Sequence, residues 1–88
     1  MIRRRVVVHG QVQGVFFRAS CVQEARRVGA AGWVANRPDG TVEAVVEGDE
    51  ATVEHMLAWC QEGPTRARVS QVDVAEEPAE GLSGFEQR

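Results

Sequence analysis

No lysine occurs among the 88 residues: all ten basic side chains are arginine, and thirteen acidic ones leave a net charge of −3. A chain built to grip nucleic acid shows a basic excess or a basic stripe, and neither is present. Cysteine is nearly as scarce. Cys21 and Cys60 stand far apart, in no CxxC or Cys/His cluster, so no zinc or redox centre is indicated and the expected metal and cofactor content is none. Both fall at apolar positions of predicted helices and read as buried free thiols. Long apolar runs are missing too. The stretch after Arg3-Arg4-Arg5 stops at His9-Gly10, short of the roughly 7–15 residues of a signal core and the roughly 20 of a membrane span. These absences predict a cytoplasmic monomer with no nucleic-acid or membrane partner.

What remains is ordinary globular material, with 43% hydrophobic and 26% charged residues. The length suits one domain over residues 1–88. Arg3 to His9 contains Val6-Val7-Val8 and predicts a first strand, buried on both faces. Gly10 to Val15 is a glycine-containing loop. Phe17, Cys21, Ala25 and Val28 recur at helical spacing, and Gly29 or Gly32 ends that helix. Gly32 to Asn36 and Thr41 to Glu47 form a predicted hairpin around Arg37-Pro38-Asp39-Gly40. A second helix opens at Gly48-Asp49-Glu50, carries Val53, Met56, Leu57 and Cys60, and stops at Gly63-Pro64. Arg68 to Ala75 is a fourth strand in which Val69 is out of step with Val72 and Val74, as a bulge would make it. A short closing strand is expected over residues 84–88. The order β-α-β-β-α-β predicts an α+β, ferredoxin-like sandwich with both helices on one face of an antiparallel sheet.

The two helices start differently. Asp49 caps the second and Glu50 sits in its first turn, as the helix dipole prefers. From Gln11 to Phe17 there is no Ser, Thr, Asp or Asn to cap the first, and Arg18 stands where a cation is disfavoured. A glycine loop, uncapped N–H groups and a cation together describe an anion site. Solvent capping, with Arg18 turned to a surface carboxylate, explains the same residues.

Gly10-Gln11-Val12-Gln13-Gly14-Val15-Phe16-Phe17-Arg18 closely resembles the acylphosphatase signature G-x-V-Q-G-V-x-[FY]-R. Gly32-Trp33-Val34-Ala35-Asn36-Arg37-Pro38-Asp39-Gly40-Thr41-Val42-Glu43 is similar to that family's second motif, G-W-V-x-N-x-x-D-G-x-V-E. Gly63-Pro64, Ala67-Arg68-Val69 and Gly84-Phe85 also stand where the family has them, so the resemblance spans the chain. Ala35 departs from it, at a position where family members often carry Arg.

The resemblance implies hydrolysis of carboxyl–phosphate anhydrides to a carboxylate and inorganic phosphate. The partner is then a small acyl phosphate, with inorganic phosphate or sulfate as a site ligand. Backbone N–H groups of Val12, Gln13, Gly14, Val15, Phe16 and Phe17 would cradle the phosphate. Arg18 would bind its oxygens, and Asn36 would hold the attacking water. The substrate phosphate itself would accept the water's proton. Residue chemistry agrees: a planar guanidinium can hold two phosphate oxygens, and a carboxylate leaving group needs no strong acid. A non-catalytic phosphate-binding module shares every feature of the loop. A single-stranded RNA binder would need aromatics on the central strands, and Val6-Val7-Val8 and Thr41 to Glu47 have none. His9 and His55 read as surface residues, Trp33 and Trp59 as packing residues, and Arg3-Arg4-Arg5 as a solvated strand end.

Overall fold

The computed structural model describes residues Met1–Arg88, in the order β1 (Ile2–Gln11), α1 (Phe17–Val28), β2 (Ala31–Asn36), β3 (Val42–Gly48), α2 (Glu50–Glu62), β4 (Arg68–Glu77) and β5 (Phe85–Gln87). The sheet order is β4-β1-β3-β2-β5. The four long strands pair antiparallel, but β5 lies parallel to β2, so the sheet is mixed rather than wholly antiparallel. The cause is a connection. After β4 the chain crosses the end of the sheet at residues 78–84 and returns along the far edge in the direction of β2. No local pattern encodes that crossing.

Alternation decides which side chains form the core. Val6 and Val8 of β1 pair with Ala44 and Val42 of β3, and all four are buried with Phe17, Cys21 and Ala25 of α1 and Val53, Met56 and Cys60 of α2. That is one apolar layer between one sheet face and both helices. Cys21 and Cys60 are buried and unbridged, as expected. Contact with Cys60, then burial, pushes the Cys21 thiol upward, so it stays protonated. The bulge implied by Val69 lies one residue on. His9 pairs with Gln71 and Gly10 with Val69, which leaves Ser70 extra. At that point Gly10 is obligatory, because a Cβ there would stand 2.0 Å from the Arg68 carbonyl oxygen.

Two expectations for β1 fail. It is not buried on both faces, since Val7 is only half-buried. Nor is the arginine run a solvated strand end. Arg3 is 5% exposed and bonds Glu47 at 2.8 Å and Glu77 at 2.9 Å, while Arg5 bonds Glu43 and Glu77, each at 2.6 Å. The register places Arg3 opposite both Glu47 and Glu77, so cross-strand partners neutralise cations that look surface-bound in sequence. Glu47, fully buried, also accepts the N–H groups of Glu80, Gly81 and Leu82 and so pins the crossing segment. Burial alone would raise its carboxyl. The bonds from Glu80, Arg3, Leu82 and Gly81 outweigh that and hold it at about 2.

Candidate active site

The site lies at the opposite end of the sheet from that crossing, where β1 gives way to α1. Residues 12–16 bridge the gap with alternating backbone handedness: Gly14 has φ 74° and Phe16 φ 64°, while Gln13 and Val15 lie outside the left-handed region. Such alternation turns successive N–H groups toward one side. Phe16 is the only non-glycine residue with positive φ. Strain of this kind costs about 1–3 kcal/mol and collects at functional positions. The five N–H groups from Val12 to Phe16 make no hydrogen bond to other protein atoms. Phe16 occupies the N-cap position of α1 without a side-chain cap, and no acid stands in the first turn. The helix start is thus uncapped in space as well as in sequence.

Around these donors is a hollow of about 220 Å³ lined by Val12, Gly14, Phe16, Phe17, Arg18, Ala19, Asn36 and Gln87. Arg18, in the first turn of α1, and Asn36, at the end of β2, face the same space although 18 positions separate them. Arg18 pairs with no Asp or Glu side chain; its Nη1 donates to the Arg88 main-chain oxygen at 2.9 Å. That bond steers the guanidinium at one nitrogen and leaves Nε and Nη2 without a hydrogen-bond partner. No Asp or Glu side chain draws Arg18 away, as the alternative of a surface carboxylate would require. Phe17 is buried and packs edge-on against Trp59, with centroids 5.2 Å apart, fixing the first turn to the core.

Not every expected residue lines the hollow with its side chain. Val15 packs against the core, and the Gln13 amide reaches to the β2–β3 turn. Neither lines the hollow with its side chain. Ala19, Gln87 and the Arg88 main-chain oxygen were not anticipated. The pairing of β5 with β2 brings them in, and Gly84-Phe85 was the sole sequence cue to that strand. Neither histidine belongs to the site. His9 bonds Asp73 at 2.8 Å, and His55 bonds Glu24 on α1.

A wider hollow of about 630 Å³ lies by the far end of α1, between Arg26, Glu47, Leu82 and Phe85. It offers an anion little. The oxygens of Glu47 are already engaged, and Arg26 donates to the Phe85 carbonyl oxygen at 3.1 Å. The smaller hollow has no carboxylate in its lining and adjoins a run of five consecutive unbonded N–H groups beside Arg18.

The fold and this hollow define a class: a ferredoxin-like α+β domain with unbonded N–H groups and an arginine at an uncapped helix start. Residues 4–87 match the Acylphosphatase family. The chain is 56% identical over 87 residues to an acylphosphatase of Rubrobacter xylanophilus, covering 98% of this chain and 79% of that one. It is 52% identical over 84 residues to the acylphosphatase of Thermococcus kodakarensis, covering 96% and 92%. Among solved structures, the acylphosphatase from Bacillus subtilis superposes with a TM-score of 0.96 at 36% identity, over 100% of this chain and 99% of that one. The chain belongs to the acylphosphatase family, and it is a hydrolase with acylphosphatase activity. No helix is long and apolar enough to cross a membrane.

Proposed function

We propose that the hollow at the start of α1 is where the acyl phosphate is hydrolysed. The N–H groups of Val12 to Phe17 and the Arg18 guanidinium hold the phosphoryl oxygens, and Asn36 holds the attacking water. The observation that carries this reading is the coincidence of five free N–H groups, an Arg18 with no Asp or Glu partner, and Asn36 around one hollow. Phosphoryl transfer demands chiefly positioning and charge stabilisation. Fixed donors meet the second need without reorganising during the reaction, and a bidentate guanidinium adds orientation. The Asn36 amide oxygen can accept a hydrogen bond from water and direct a lone pair toward phosphorus.

The leaving group is a carboxylate, which departs unprotonated. One proton must still leave the attacking water, and neither histidine faces the hollow to receive it. That proton passes to a phosphoryl oxygen of the substrate. Because Arg18 and the N–H groups supply the positive potential, turnover of acetyl phosphate persists in excess chelator. A direct test is phosphate release by Arg18→Ala and Asn36→Ala. Arg18→Ala loses both turnover and inhibition by inorganic phosphate. Asn36→Ala loses at least about tenfold in kcat, about 1.4 kcal/mol of barrier, and keeps phosphate inhibition. Loss of both properties in Asn36→Ala means that it shapes the loop instead.

A further inference from the structure

Gln13 is the one cradle residue whose side chain forms hydrogen bonds away from the loop. Its Nε2 donates to the Arg37 carbonyl oxygen at 2.7 Å and to the Thr41 carbonyl oxygen at 2.9 Å. Both partners can only accept, so the nitrogen faces them and gives one N–H to each. Those carbonyls stand at the two ends of the β2–β3 turn, immediately after Asn36. The turn is closed within itself: Arg37 N–H donates to the Thr41 carbonyl at 2.9 Å, and Asp39 accepts the Thr41 N–H at 3.0 Å and its hydroxyl at 2.6 Å. It moves as a unit with Asn36 at its root. The two bonds from Gln13 are the only side-chain hydrogen bonds joining this unit to the cradle loop.

We propose that Gln13 is a positioning residue for hydrolysis, setting the distance between the phosphate held by the loop and the water held by Asn36. The inference rests on the roles assigned above to the cradle and to Asn36. It follows from how the two halves are connected. The loop's N–H groups and Arg18 belong to the β1–α1 segment and bind phosphate wherever the turn sits. In-line attack requires the two segments to be in register, and a misplacement of about 1 Å costs on the order of a hundredfold in rate. Gln13 therefore acts on turnover and leaves phosphate binding alone.

A double-mutant cycle tests this. Gln13→Met keeps the length of the side chain and removes both donors; kcat for acetyl phosphate falls about tenfold while inhibition by inorganic phosphate stays within about twofold. In an Asn36→Ala background the same change alters kcat by less than about twofold, because the group it positions is gone. A tenfold loss repeated in that background, or an equal loss of phosphate inhibition, overturns the proposal. An Asn36→Ala enzyme with wild-type turnover overturns instead the role of Asn36 on which it rests. If circular dichroism shows Gln13→Met unfolded, Gln13→Asn, one methylene short, carries the same cycle. Gln13→Glu adds a pH signature. An ionised carboxylate opposes two carbonyls and a protonated one regains a donor, so its rate relative to wild type rises as pH falls below about 5. A flat ratio contradicts the proposal.

Discussion

The starts of the two helices face opposite chemical problems with the same backbone. At α2, Asp49 accepts the Thr52 N–H at 2.8 Å and Glu50 stands in the first turn, so the exposed donors and the dipole are satisfied by the chain itself. At α1, a left-handed Phe16 takes the capping place, no acid follows, and Arg18 adds positive charge to the positive end of the dipole. The first arrangement maximises helix stability. On the proposed reading, the second leaves stability unclaimed and stores it as affinity for an anion. The proposed functional helix start thus differs from the structural one by what it lacks, a cap and an acid.

The sharpest way to break the comparison is to alter the cation. Arg18→Lys keeps the charge but cannot reproduce two parallel N–H donors, and its kcat/KM falls by about a hundredfold or more. Near-wild-type turnover of acetyl phosphate would make Arg18 a mere source of field. A smaller effect is expected at the other helix. Asp49→Ala lowers the melting temperature by about 5 °C and leaves the rate of acetyl phosphate hydrolysis unchanged; a fall in rate would mean the two helix starts are not independent.

The smallest effect concerns pH. The bond from the Thr52 N–H holds the Asp49 carboxyl below its ordinary value. A depressed acid contributes stability that is complete above the unfolded-state value of about 3.9 and disappears as pH falls through the folded-state value. Amide exchange at Thr52 therefore accelerates below about pH 4 relative to Ser20, whose N–H donates to the Phe16 carbonyl and answers to no carboxylate. Equal acceleration at both amides would refute the assignment.

Much of this was legible in the residues. Period-two and helical spacing located the strands and helices, because each buries one face against a single core. The missing cap and the position of Arg18 marked the candidate site, because orphan donors and a misplaced charge are local facts. What escaped was non-local. Gln87 and the Arg88 main-chain oxygen reach the site only because a crossing segment, held by Glu47, lays β5 along β2. The arginine run looked solvated because its partners, Glu47 and Glu77, lie more than forty residues away. The role of Gln13 was hidden likewise, since its acceptors are backbone carbonyls that no side-chain pattern reveals.

The most direct test of the central claim is a titration of the ¹⁵N-labelled protein with inorganic phosphate, followed by amide chemical shifts. Saturable shifts confined to Val12 through Phe17, together with the Arg18 side-chain Nε, are the predicted result. Shifts centred on Arg26 and Leu82 beside the wider hollow, with residues 12–17 unmoved, would contradict it.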